Sequence, residues 1–342
     1  MAYTTINKST AHFNSKIYTG NGGTQSITGI GHQPDLTWIK KRDGTNYHVL
    51  TDAVRGATKQ IYSNDTGAEQ AVAEGLKSFD SDGFTLGTNG DTNGSGGSYV
   101  GWNWKAGTTS GITTDGNTTI TPSYYSINQT AGFSILKFIG NGVTGAKLAH
   151  GLGGTPAKIV IKKIDATGDW TVYHKGMTTG YTMWWNYTQA QTAENLIYSP
   201  DATNITLSNH SSVNTNGTTY IAYCWKEVTG YSKFGSYVGN GNADGTFIYT
   251  GFKPAFVILK SSTSTESWVL VDNKRLGYNP DNNVLKPDTN GTEATDNDVD
   301  LLSNGFKVIR NTGYVNDSGQ TYIYMAIGQS LVGSNNVPCT AR

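Results

Sequence analysis

Glutamate, cysteine, proline and long apolar runs are all scarce in this 342-residue chain, and each scarcity removes a class of answer. There are six glutamates, none in an obvious acid/base pair, so the sequence shows no recognisable carboxylate pair for glycoside hydrolysis. No serine sits in a G-x-S-x-G elbow, so the hydrolase nucleophile is missing as well. The six histidines fall at unrelated positions, without H-E-x-x-H or a Cys/His pairing, which argues against zinc. Two cysteines, Cys224 inside an apolar run and Cys339 near the C-terminus, are too few for a disulfide framework and are expected as free thiols. No apolar run approaches the ~20 residues that span a bilayer, and no heptads mark a coiled-coil stalk. Lys+Arg 25 against Asp+Glu 25 leaves no net charge, so the electrostatic footprint of a nucleic-acid or polybasic membrane binder is absent. The opening MAYTTINKST has neither a basic n-region nor an apolar h-region, so synthesis in a cytoplasm without secretion is expected.

What the chain has instead is glycine, 43 of them, with threonine, asparagine and aromatic residues: the composition of strands joined by tight turns. The triplet Gly-Asn-Gly occurs at Gly20, Gly140 and Gly239, each time directly after an apolar β-rich run. Asparagine and glycine tolerate positive φ, so the triplet reads as a turn at a strand end. A proline follows each copy at near-constant spacing (Pro34, Pro156, Pro254) and opens a second apolar run. A third run starts at Tyr47, Trp170 or Trp268, and the last at Tyr99, Tyr220 or Tyr322. Four landmarks in one order, three times, define a tandem repeat of roughly 100 residues per module.

The expected fold is therefore all-β, with three tandem antiparallel β-sandwich, jelly-roll-like domains. Residues 1–106 carry an N-terminal arm and the first sandwich. Residues 107–230 carry a Gly/Thr-rich linker and the second, and residues 231–342 carry the third sandwich and a tail. In each last strand one face is large and apolar: Val100, Trp102, Trp104; Ile221, Tyr223, Trp225; Ile323, Met325, Ile327. With Trp38, Val160 and Ile258 these residues are expected to form the cores. The opposite face carries small residues such as Gly101, Ala222 and Ala326, which suggests close approach by a neighbouring element.

Few stretches invite a chemical reading. Gly140-Asn141-Gly142-Val143-Thr144-Gly145 matches G-x-G-x-x-G, but the sequence after it cannot form the helix that would hold a pyrophosphate. Asp80-Ser81-Asp82-Gly83 begins like a calcium loop without the closing glutamate, and Asp296, Asp298 and Asp300 form a second acidic cluster; solvated turns are the preferred reading of both. No catalytic residue, metal site or cofactor is expected. Tyr181, Trp184, Trp185 and Tyr187 form the one aromatic cluster outside the repeat. They are candidate ligand contacts, because aromatic planes stack on sugars; filling the core or an intermodule seam is the preferred alternative. The arm holds Tyr3, Ile6 and Phe13, candidate assembly contacts, since ordering it requires compensating contacts with some surface.

Taken together, YTGNG, PDLTWIKKR, LTDAVRG, SFDSDGFTLG, YVGWNWKAG, FGSYVGNG, GFKPAFVILK, WVLVDNKR, LLSNGFKV and TYIYMAIGQ resemble a family of phage structural proteins common in marine phages, labelled tail-fibre or virion proteins. The resemblance covers nearly the whole chain and is strongest in the first and third modules; the second departs at the SDGF position. It implies a virion component with no assigned activity. The expectation is a non-enzymatic structural protein of the virion surface, in a tail fibre or as a head decoration, made in the host cytoplasm. Its expected partners are other virion proteins and further copies of itself, with neither nucleic acid nor membrane insertion. The alternative is a carbohydrate-binding adhesin that recognises a host-surface glycan.

Overall fold

A computed structural model describes residues 4–275, 279 and 282–330. The first module contains β1 (Phe13–Thr19), β2 (Gln25–Thr28), β3 (Leu36–Lys41), β4 (Val49–Asp52), β5 (Lys59–Tyr62), β6 (Gln70–Ala71), β7 (Leu76–Asp80), β8 (Gly83–Leu86) and β9 (Ser98–Trp104). The second contains β10 (Tyr124–Asn128), β11 (Phe133–Ile139), β12 (Ala146–Ala149), β13 (Lys158–Lys163), β14 (Trp170–His174), β15 (Met183–Trp184), β16 (Asn204–Leu207) and β17 (Thr219–Trp225). The third contains β18 (Ser232–Val238), β19 (Phe247–Tyr249), β20 (Pro254–Ser261), β21 (Val269–Asp272), β22 (Val299–Leu302), β23 (Gly305–Val308) and β24 (Thr321–Gly328).

The three modules share one antiparallel topology. Their main sheets run β1-β9-β3-β4, β11-β17-β13-β14 and β18-β24-β20-β21; each smaller sheet pairs β2 with β8, β12 with β16 or β19 with β23. In each main sheet the last strand lies between the first strand and the one that follows the proline. Strand register also corrects one landmark. Leu36, Lys158 and Phe256 face Asp52, His174 and Asp272, so the residue equivalent to Trp170 and Trp268 is His48 rather than the exposed Tyr47.

The Gly-Asn-Gly turn has a specific structural job. A Cβ on Gly20, Gly140 or Gly239 would lie 2.3 Å from the carbonyl oxygen of Gly94, Thr215 or Asp317, so nothing larger fits. The middle asparagine pairs with a buried one in the loop before the last strand: Asn21 with Asn93, Asn141 with Asn214, Asn240 with Asn316. Each backbone N–H donates to the buried amide oxygen, and the buried amide donates back. The same loop is tied by a tyrosine: the hydroxyls of Tyr99, Tyr220 and Tyr322 donate to the carbonyls of Gly90, Ser211 and Gly313. The motif that reveals the repeat therefore locks the first strand to the last.

Both faces of each main sheet are buried, but against different things. The outer face packs on the module's own small sheet: Ile39 and Tyr99 meet Ile27, Phe84 and Leu86, and the other two modules repeat this. Gly101 is the expected small residue of close approach, its would-be Cβ 3.6 Å from the Phe84 ring. The inner faces of all three main sheets meet in one cluster that holds Trp38, Trp102, Val160, Tyr223, Ile258 and Met325. Those residues are core, as the alternation indicates, but the core they form lies between the modules. Ring contacts join every pair: Trp104 with Trp225, Trp104 with Phe256, and Trp185 with Trp268. The chain is a three-sided block around a pseudo-threefold axis.

Backbone hydrogen bonds repeat around that axis. Glu69 N donates to Ile164 O, Gln191 N to Ser262 O and Glu293 N to Arg42 O, at 2.9, 3.0 and 2.8 Å. The three acceptors are equivalent residues, each just past the strand that follows the proline. Two segments outside the repeat complete the block. Part of the expected linker is β10, which adds to the edge of β11 and reaches the first module where Ser126 Oγ donates to Asp35. The arm closes the ring on the third module: Ser9 Oγ donates to Gly328 O at 2.5 Å, and Phe13 packs on Phe256.

Candidate functional site

The side chains with chemistry to offer turn mostly inward. Asp52 and Asp272 occupy equivalent strand ends, and each is gripped by an arginine three residues on. Arg55 Nε and Arg275 Nε each donate to a carboxylate oxygen at 2.6 Å, and their NH2 groups bond the carbonyls of Leu50 and Leu270. All four side chains are fully buried. A donor from the neighbouring module completes each pair. Tyr223 OH reaches Asp52 Oδ2 at 2.6 Å, and Trp102 Nε1 reaches Asp272 Oδ2 at 2.9 Å. Buried ions are tolerated when hydrogen bonds replace the lost water, and here the replacement stitches module to module.

The third seam uses different chemistry. Met325 stands where Trp102 and Tyr223 stand in the other copies, and a thioether cannot donate. The acceptor facing it has changed accordingly: His174 replaces the aspartate, and Met177 takes the arginine's position. His174 Nε2 bonds the carbonyl of Tyr324 at 2.9 Å. Burial, with Lys158 close by, lowers the imidazole to about 3, so it is neutral and its Nε2 carries the proton it donates.

Four lysines are also buried. Lys40, Lys162 and Lys260 are equivalent and spend their ammonium groups on carbonyls at their own strand ends; burial lowers each to about 8. Lys158 differs. It lies at the axis beside Leu36 and Phe256, next to a void of about 10 Å³ lined by apolar side chains. Its ammonium is surrounded by the rings of Trp185, Trp268 and Trp225 at 4.5, 5.2 and 5.8 Å, and burial lowers it to about 7.

The aromatic cluster singled out from the sequence is divided by the fold. Trp185 is buried in the shared core, where it contacts Trp38, Trp170 and Trp268. Trp184 is half-buried, and its carbonyl accepts from Trp268 Nε1. Tyr187 is exposed, whereas Tyr181 lines a separate cleft of about 150 Å³ on the second module. Two residues in that cleft, Tyr173 and Tyr198, carried no sequence signal, because they come from different runs and meet only through folding. Of the arm residues, Ile6 and Phe13 are buried in the chain's own core rather than on an outward face. Tyr3 lies outside the described residues, as does Cys339; Cys224 is buried and unpaired. Burial raises its thiol to about 12.

The acidic stretches are not simply solvated turns: Asp80 closes β7, Asp300 lies in β22, and only Asp82 and Asp296 among the five aspartates lie outside strands at accessible positions. Asp82 accepts from Gly29 N and Gly31 N, and Asp80 from Ser78 and Thr85. Asp298 is buried beside Arg310, and burial raises it to about 6. Among the described residues no three His, Cys, Asp or Glu side chains are grouped to hold a metal. Nor, among them, is any helix long and apolar enough to cross a membrane.

A protein-family model described as Domain of unknown function (DUF7483) matches residues 8–330. No curated protein matches the chain, and no solved structure does.

Proposed function

The chain belongs to that family across its whole three-module block, and we propose that it is a non-enzymatic structural protein of a phage virion surface. The observation that carries this reading is the commitment of the polar interior to the seams. Two Asp–Arg pairs and a histidine hold sheet to sheet, and Lys40, Lys162 and Lys260 tie their own strand ends, so the polar interior is committed to a fixed shape. A particle component needs a shape that persists. The resemblance of the repeat landmarks to phage structural proteins supports the same reading. The block is compact around one axis, which favours a head decoration or an attached tail unit over a long free fibre.

The test is composition. Peptide mass spectrometry of gradient-purified particles from the phage that encodes this chain should recover it in stoichiometric amount, and antibody labelling should place it on head or tail. Recovery only from the infected-cell lysate would overturn the assignment. The non-enzymatic part has its own check. Purified protein incubated with host envelope polysaccharide should release no reducing sugar, and sustained release would refute that part.

A further inference from the structure

Between β14 and β16 the chain of the second module passes one region three times, through Gly176–Tyr181, Gln191–Asn195 and Ile197–Ser199. Together these passes enclose the cleft of about 150 Å³. Its frame is pinned. Thr178 and Gln191 exchange two hydrogen bonds, Thr182 N donates to Thr192 O, and Tyr198 N donates to Thr206 O. The opening is therefore preformed, and a ligand would not have to order it.

Its lining combines aromatic rings and uncharged polar groups with the apolar Met177 and Ile197 and with His174 and Lys175. Tyr173, Tyr181 and Tyr198 contribute three rings, and Asn195, Thr179 and Ser199 contribute an amide and two hydroxyls. None of these six side chains makes a hydrogen bond among the described residues. Burial raises the Tyr173 phenol, which keeps it a neutral donor. The two lining side chains able to carry charge are occupied. Lys175 Nζ is held by Glu227 at 2.5 Å, and neutral His174 uses both nitrogens, one toward Tyr324 O and one toward Gly176 N. The repeat supplies a control. The positions equivalent to Tyr173 are Thr51 and Val271, both buried, so the fold itself does not require a tyrosine there.

A neutral ligand with many hydroxyls and one apolar C–H face fits this lining. At about 150 Å³ the cleft lies below the ~300 Å³ of sites for larger ligands, which suits one sugar ring rather than a nucleotide. We propose that the cleft binds a single neutral pyranose residue of a surface glycan, gripped by Tyr173, Tyr181 and Tyr198. This inference stands apart from the virion assignment, since it is read on the purified chain alone.

Saturation-transfer NMR on the full-length protein, with a panel of free hexoses, 6-deoxyhexoses and N-acetylhexosamines, tests it. At least one sugar should show transfer, and Tyr181→Ala and Tyr198→Ala should each weaken its affinity about tenfold, the loss of one stacking ring. Asn195→Ala, at an exposed position, should weaken it without altering the melting temperature, which covers the case in which a tyrosine variant fails to fold. No transfer from any sugar, or undiminished transfer in the Tyr181→Ala, Tyr198→Ala and Asn195→Ala variants, would overturn the proposal.

Discussion

At the axis, Leu36, Lys158 and Phe256 fill one position in three copies, and two of the three are the apolar residues that a closed core favours. The third is an amine whose compensation is the π faces of three indoles. An unfolded lysine titrates near 10.5, whereas burial lowers this one to about 7. Between those values the unfolded chain binds a proton that the folded chain does not, so stability rises with pH through that window. Below about pH 7 the penalty is fully present. Lys158→Leu should therefore stabilise the protein by on the order of 2–4 kcal/mol near pH 6, after the lost cation–π contacts are offset. Near pH 9 the gain should be about half as large. Urea unfolding of both proteins at the two pH values measures it, and equal gains at both would show that the ammonium is not the cause. Nothing in the local pattern marks this residue. In PAKIVIKK, Lys158 looks like any charged residue at a strand entrance, and its burial depends on two sheets far away in sequence.

Among the elements, the loops after β4, β14 and β21 show how one structural task is met by two chemistries. Asp52 with Arg55 and Asp272 with Arg275 are the same device, and the shared letters of LTDAVRG and WVLVDNKR reveal it. His174-Lys175-Gly176-Met177 does the same work and shares no letter at either key position, so its equivalence becomes visible only through strand register. His174→Asp alone should cost about 1–3 kcal/mol, because the buried carboxylate loses the imidazole's hydrogen bond to Tyr324 O and has only the neighbouring Lys158 in place of an arginine. Adding Met177→Arg should recover more than half of that loss by rebuilding the pair found in the other modules. A double-mutant cycle by denaturant unfolding reads the coupling; strictly additive effects would mean that the two positions do not interact. Strand positions, turns and apolar faces were legible at this scale because they depend on local periodicity and on glycine geometry. Which apolar face met which partner was not, since both faces of a central strand are buried and the pattern carries no address. The same limit applies to the aromatic cluster, where Trp184 ends β15 against the second module's own core and Trp185 opens the following turn into the shared core, so the two could not form one platform.

For the whole molecule, the shared core decides how it unfolds. Removing the third module, for example, would expose the inner faces of the other two, which include Trp38, Trp102, Tyr223 and Trp225. Calorimetry should therefore show one transition whose van't Hoff and calorimetric enthalpies agree, where beads on a string would give three. A fragment of residues 231–330 should not fold as a stable monomer, and a cooperative melt from that fragment would contradict the shared core. The repeat count was readable from the sequence, but the arrangement was not, because nothing in a 100-residue period distinguishes modules in a row from modules in a ring. The position at the axis also bears on ancestry. Three identical chains assembled in this way would bring the same side chain to the axis three times, and three lysines there would repel one another with too few indoles to receive them. A duplicated and fused gene escapes that rule, because each copy can then drift independently. Leucine, lysine and phenylalanine now divide among three descendants a position that a homotrimer would have had to fill with one residue type.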